Sequence, residues 1–317
     1  MPDVNSKPAS DDKANVPQDK SKPVQSNAWA GLFDLGSSCK PCCKGRGEDR
    51  ETFDETRAVP VMDDPIRVPA LLADLPLEER DEVTVEGGAR YKGQWRGAHW
   101  HGKGVLIRQD GLRYEGELAF GKAHGHGVST SANGSTFEGQ WDNGKVHGNG
   151  RYVHQDGSSY EGEWCQDEKS GNGVERWPDG SEYRGEFLNG GKQGNGCYTS
   201  NTGAVVYEGQ FRSDQMDGEG YYRFDNGGIY SGQWRHGHMN GTGSMEWPSG
   251  SKYEGSYVED VKSGEGVFTW PDGRIYKGQW RAGKQDGIGV MIDLDGKEVR
   301  GEWRAGKQTF NSGLNEE

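Results

Sequence analysis

The sequence predicts an all-β protein built from stacked hairpins, and three observations carry that prediction. Glycine stands far above its usual share, at 53 of 317 residues, without collagen's three-residue period. Only 31% of the chain is hydrophobic and the mean hydropathy is -0.99, yet it holds 11 Trp, 13 Tyr and 9 Phe. Rings, rather than aliphatic side chains, must therefore build most of any core. The third observation is a repeat: an aromatic-x-Gly-x-aromatic block returns every 23 residues from about residue 83 onward.

The first aromatic falls at Tyr91, Tyr114, Phe137, Tyr160, Tyr183, Tyr207, Tyr230, Tyr253 and Tyr276, with Val299 in the tenth slot. The second falls at Trp95, Leu118, Trp141, Trp164, Phe187, Phe211, Trp234, Tyr257, Trp280 and Trp303. In an extended strand alternate side chains share a face. In "YEGEW" (160–164) the two rings and Gly162 therefore lie on one face and the two glutamates on the other. The glycine inside the strand leaves room for a large ring from a neighbour. One hairpin is marginal in water, but stacked hairpins bury a continuous aromatic row. The row is expected to form a grooved face where protein partners dock.

Two glycine signals fill the space between blocks. One is a pair such as "HGKG" (101–104); the other is a turn such as "DG" (110–111) or "WPDG" (177–180). Pro presets φ and Gly supplies a left-handed residue, so a type I turn with a glycine bulge is expected. Each repeat is then one hairpin plus a glycine-rich connection. The single 24-residue spacing, between Tyr183 and Tyr207, places an extra residue in "GAVVY" (203–207) and predicts a local bulge.

The flanks differ. Residues 1–82 read as a tail, disordered over its first 28 residues, which are rich in Ser, Lys, Asp, Pro and Asn. Within it, "PALLADLPLEER" (69–80) predicts a short capping helix over 70–80. At the other end Phe310 stands where a loop glycine belongs, so the array is expected to stop near 306. Residues 307–317 would then be a tail, and the sheet end must be capped or paired. Homodimerisation through such an end is a secondary expectation.

Charge and composition exclude several functions. Net charge is -13, divided as -6 over residues 1–82 and -7 over the rest. Neither part has the basic footprint that nucleic acid requires. No apolar run approaches the roughly 18 residues of a membrane span, and the polar N-terminus lacks a secretory signal core. The expected compartment is the cytosol. The G-x-x-x-x-G-K matches at Gly116, Gly139 and Gly278 lack the closing Ser/Thr and the following helix of a phosphate loop. His101, His124 and His147 share one repeat position, but equivalent positions lie about 9.6 Å apart, too far for one metal ion. The E-x-E carboxylates recur with Gln, Lys, Arg and Ser in their place and read as a solvated face. No catalytic residue, metal site or cofactor is assigned, and Cys165 and Cys197 read as structural.

The remaining chemistry sits in residues 29–46. Cys39, Cys42 and Cys43 follow an apolar stretch with Trp29, Leu32, Phe33 and Leu35, and are flanked by Lys40, Lys44 and Arg46. Zinc normally takes four ligands and no His or fourth Cys is near. Exposed cysteines beside apolar and basic residues are candidate S-acylation sites, and acyl chains plus cations supply the two signals that stable anchoring needs. Membrane attachment is therefore expected through the tail.

The pattern Y-x-G-x-W, then G-x-x-x-G-x-G, then D-G resembles the MORN (membrane occupation and recognition nexus) repeat, with ten units over roughly residues 83–306. The resemblance implies an elongated, gently twisted single antiparallel sheet of consecutive β-hairpins. Roughly twenty strands spaced by about 4.8 Å would span about 95 Å. It implies a non-enzymatic scaffold at a membrane–cytoskeleton junction, such as the cell cortex or a cilium. In lipid kinases and lysine methyltransferases that carry these repeats a catalytic domain follows the array. The few residues after Trp303 leave no space for one, so action on a lipid-signalling enzyme such as a phosphatidylinositol phosphate kinase would be as a separate partner. A radial-spoke-like role in the axoneme is the other alternative. Direct phospholipid binding, often attributed to the family, is opposed by the net -7 of the repeat region, with Arg274, Lys277, Arg281 and Lys284 as the local exception.

Overall fold

The computed structural model describes residues 75–311, so the expected anchor and most of the expected N-terminal tail lie outside it. The described chain forms one antiparallel sheet of 21 strands, each paired with its sequence neighbours. These are β1 (Leu77–Thr84), β2 (Arg90–Arg96), β3 (His99–Ile107), β4 (Arg113–Ala119), β5 (Lys122–Thr130), β6 (Thr136–Asp142), β7 (Lys145–Val153), β8 (Ser159–Cys165), β9 (Glu168–Arg176), β10 (Glu182–Leu188) and β11 (Gly191–Thr199). They continue with β12 (Val205–Arg212), β13 (Gln215–Arg223), β14 (Ile229–Arg235), β15 (His238–Glu246), β16 (Lys252–Val258), β17 (Val261–Thr269), β18 (Ile275–Arg281), β19 (Lys284–Ile292), β20 (Glu298–Arg304) and β21 (Lys307–Asn311). The chain divides at residues 175/176 into two compact units. The expected single sheet of consecutive hairpins is what the structure shows.

Short strands carry the aromatic block and long ones the glycine pair. Their register aligns glycine with glycine. In the first unit Gly93 faces Gly104, which faces Gly116 across the next pair. In the second unit Gly232 faces Gly243, which faces Gly255. The ring of Tyr230 lies over Gly243, where an added Cβ would meet ring atoms at 2.4–2.5 Å. The glycine of the block has a different role from the expected one. A Cβ on Gly232 would meet the opposite Gly243 Cα at 2.4 Å and its own block's Tyr230 Oη at 2.7 Å. It permits close approach of two backbones, and the ring rests on the partner glycine instead.

Both ends of each hairpin are tight turns. At the loop end Gly111 N–H donates to Arg108 O and Arg108 N–H to Leu112 O, with Gly111 at φ +86°. This is the expected type I turn with a glycine bulge. The connection at the other end is a second hairpin turn of two residues, such as Asn143–Gly144 with φ of +51° and +85°. Positive φ at both central residues is type I′, whose twist matches that of the strands. The extra residue of the long repeat is Val206: Tyr198 faces Tyr207 while Thr199 faces Val205, leaving Val206 as the expected bulge.

The boundaries require two corrections. Residues 77–84 are not helical; they form β1, paired antiparallel with β2. The open edge of the first repeat offers hydrogen-bonding groups that a helix cannot satisfy, and that tertiary demand overrides the local helical spacing. At the other end the strand pattern continues past 306 as β21, where Phe310 is an exposed strand residue facing Glu302.

Candidate functional site

The residues expected to form a partner groove are interior. Tyr91, Tyr114, Phe137, Tyr160, Tyr183, Tyr207, Tyr230, Tyr253 and Tyr276 are 0–2% exposed. Trp95, Trp141, Trp164, Phe187, Phe211, Trp234, Tyr257, Trp280 and Trp303 are also buried. Each first ring but Tyr114, whose own block supplies Leu118, is edge-packed by its own block's second ring, and Tyr114, Phe137, Tyr183, Tyr207, Tyr230, Tyr253 and Tyr276 are edge-packed by the next block's ring. Tyr230 lies 5.2 Å from Trp234 and 5.3 Å from Tyr257, both near perpendicular. Edge-to-face geometry sets the positive ring edge against the negative face. The row is a self-filled spine, which leaves no ring face for a ligand.

The spine is pinned by a clamp that recurs along the array. Tyr230 Oη donates to Gln233 O at 2.9 Å, and Gln233 Oε1 accepts from Thr242 N at 2.9 Å. The same pair of bonds occurs at Tyr91/Gln94, Tyr160/Glu163, Tyr183/Glu186, Tyr207/Gln210 and Tyr276/Gln279. The residue between Gly and Trp therefore holds the neighbouring strand's irregularity and is more than part of a solvated face. Gln and Glu alternate there because either supplies the acceptor. Burial raises the phenol pKa values, to about 12 for Tyr91 and Tyr276.

Above the rings sits a second layer that alternation alone does not reveal. Lys262 is 9% exposed, with Nζ 4.8 Å from the Trp247 ring centre, 4.9 Å from Phe268 and 5.2 Å from Trp280. Lys192 lies similarly over Trp177 and Tyr183. Lys169 is paired with Glu175, both nearly buried, over Tyr160. Their stems cover the rings while their charges rest on π-faces or a carboxylate. Met216 and Met239 hold the same repeat position as these lysines.

The members of the histidine column have different neighbours. His101 stands edge-on to Phe120 at 4.8 Å, its pKa lowered by burial and then by Arg96. His124 Nδ1 lies 3.5 Å from Asp142. Among the described residues no group of three His, Cys, Asp or Glu is placed to hold a metal ion, and no helix is long and apolar enough to cross a membrane. Cys165 and Cys197 are half-buried. Trp29, Leu32, Phe33, Leu35, Cys39, Lys40, Cys42, Cys43, Lys44 and Arg46 lie outside the described residues.

The expected basic patch separates. Arg274 is in a loop, bonded to Asp272, at the opposite end of β18 from Arg281, and Lys277 projects from the outer face. Arg281 and Lys284 do meet, as the cross-strand pair that closes the turn between β18 and β19. The sequence reading omitted Arg304 and Lys307, which close the next turn in the same way. The repeated "WRAGKQ" at 280–285 and 303–308 is the signal that reveals them.

A family model described as the MORN repeat matches nine times: residues 91–113, 114–136, 137–159, 160–182, 183–205, 207–229, 230–252, 253–273 and 276–297. No curated protein sequence matches the chain. Among solved structures, the SAS-4 TCP domain of Drosophila melanogaster, in complex with a proline-rich motif of Ana2, is 11% identical. The likeness covers 69% of this chain and 95% of that one with a TM-score of 0.25. An inactive virginiamycin B lyase from Staphylococcus aureus is 12% identical, covering 72% of this chain and 85% of that one with a TM-score of 0.14. Similarities this slight carry no functional argument.

Proposed function

The chain belongs to the MORN-repeat family, and we propose that it is a scaffold tethered to a membrane through its N-terminal tail, organising protein partners at a membrane–cytoskeleton junction. Membership supports the coarser part, a repeat scaffold or binding protein. The observation that carries the reading is the filled spine. With the rings buried against one another, contacts with partners fall to the outer face, the turn edges and the tail. Repetition offers the same backbone geometry every two strands, about 9.6 Å apart, with different exposed side chains at each step. That is a framework for positioning partners in series.

Tethering is assigned to Cys39, Cys42 and Cys43 by S-acylation, with Trp29, Leu32, Phe33 and Leu35 entering the interface and Lys40, Lys44 and Arg46 meeting anionic headgroups. Cell fractionation and imaging of the full chain against Cys39→Ser/Cys42→Ser/Cys43→Ser test it. The variant is expected to leave the membrane fraction. Retention at the same membrane structure would move targeting to the repeats.

A further inference from the structure

The outer face, opposite the spine, changes character at the last repeats. The residue between the two glycines of the long strand is polar in every earlier repeat, from Lys103 in "GKG" to Glu265 in "GEG". In β19 it is Ile288, 73% exposed. Ile288 faces Glu302, and Glu302 faces Phe310 of β21, itself 61% exposed. Residues that face each other across a strand pair share a face, so two large apolar side chains flank one carboxylate in water.

A second row on the same face adds cations. Val267 faces Lys277, Lys277 faces Val290, and Val290 faces Arg300. Between the two rows lies an open depression of about 530 Å³, lined by Val267, Lys277, Gln279, Ile288, Val290 and Arg300. Among the described residues no carboxylate lies within ion-pair distance of Lys277. The depression therefore suits a short segment that carries an apolar side chain followed by acids.

Such a segment starts beside it. The described residues end at Asn311, which faces Gly301, next to Arg300. The chain continues as "SGLNEE" over 312–317, in the same compact unit. We infer that residues 312–317 turn back over β20 and lie in this depression, with Leu314 against Ile288 and Val290, and Glu316 and Glu317 beside Lys277 and Arg300. The lengths agree. Leu314 is three residues beyond Asn311, a reach of about 10 Å, and β19 is two strand spacings from β21, about 9.6 Å. Glu316 is five residues beyond, a reach of about 17 Å, and Lys277 on β18 is three spacings away, about 14 Å. Gly313 has the conformational freedom that a reversal out of the sheet requires. A partner for the outer face of the last repeats must then displace this segment. The inference does not rest on membrane tethering, which concerns residues 29–46.

Zero-length carbodiimide crosslinking of the full chain tests it, on an equal mixture of unlabelled and ¹⁵N-labelled protein read by peptide mass spectrometry. Lys277 is expected to join Glu316 or Glu317 within one chain, whereas Lys297, which also lies within reach of an undocked segment, is not. Leu314→Ser retains every reporter group and should lower the Lys277 link about tenfold, as the loss of a buried leucine implies. Links between labelled and unlabelled chains would assign the depression to a second copy and overturn the inference. Equal linking of Lys297, a yield unchanged in Leu314→Ser, or no link at Lys277 would each overturn it as well.

Discussion

The spine and the turn edge of the last repeats obey opposite rules. Along the spine one solution recurs: a phenol donates to the backbone three residues on, a glycine row lies beneath the rings, and a second ring packs edge-on. At the turn edge the backbone is equally regular, with positive φ at successive turns, but the flanking residues change from Asp142/Lys145 to Val258/Val261 to Arg281/Lys284. Repetition marks what the fold requires, and departure from it marks where this chain is free to differ. Here the departure brings a cost in electrostatics that the fold itself does not need.

Breaking the spine should have the largest effect. Tyr230→Ala removes a ring that contacts two others and leaves a cavity, so denaturant unfolding should show a loss of about 3–5 kcal/mol. Gly243→Ala pushes a methyl into that ring, and overpacking of this kind costs about 1–3 kcal/mol. Tyr230→Phe retains the ring and deletes the donor to Gln233 O, which should cost about 1 kcal/mol; the native Phe137 shows that the array accommodates the change at one site. At the edge the sign reverses. Lys284→Glu replaces repulsion with attraction and should raise the denaturation midpoint slightly, by about 0.2–1 kcal/mol.

pH distinguishes the two regions again. Buried phenols have pKa values raised by burial, to about 12 at Tyr91 and Tyr276. A raised pKa means the folded state favours the neutral phenol. That contribution is intact below the unfolded value of about 10 and is lost as pH rises toward 12. Thermal melts should therefore fall steeply above about pH 10, together with tyrosinate absorbance. Asp286, which pairs with Arg281 and accepts from Ala305 N, behaves oppositely. Its lowered pKa gives a contribution that is present above the unfolded carboxylate value and lost as pH falls through the folded one, so acid should loosen the link between the last two turns.

Period and alternation were enough to read the spine, because stacking requires the same residue at the same place. The bulge at Val206 was legible for the same reason: a 24-residue unit cannot keep register without one. The capping helix misled because "PALLADLPLEER" has helical spacing, whereas an open sheet edge demands a strand partner. The aromatic row was read as a docking groove because alternation gives the face of a side chain and not what lies above it. Lys192 and Lys262 look like solvated charges in sequence and are buried over rings in the structure. The clamp at Gln94 and Gln233 was hidden by its Gln/Glu variation, which reads as solvent exposure until the shared acceptor is seen.

The central claim is that the repeats form a self-contained spine while attachment lies in the tail. Membrane fractionation and thermal melting of Cys39→Ser/Cys42→Ser/Cys43→Ser, performed on one preparation of the full chain, test it most directly. The account predicts a protein that leaves the membrane fraction and melts at the wild-type temperature. A variant that melts unchanged yet stays with the membrane would contradict it.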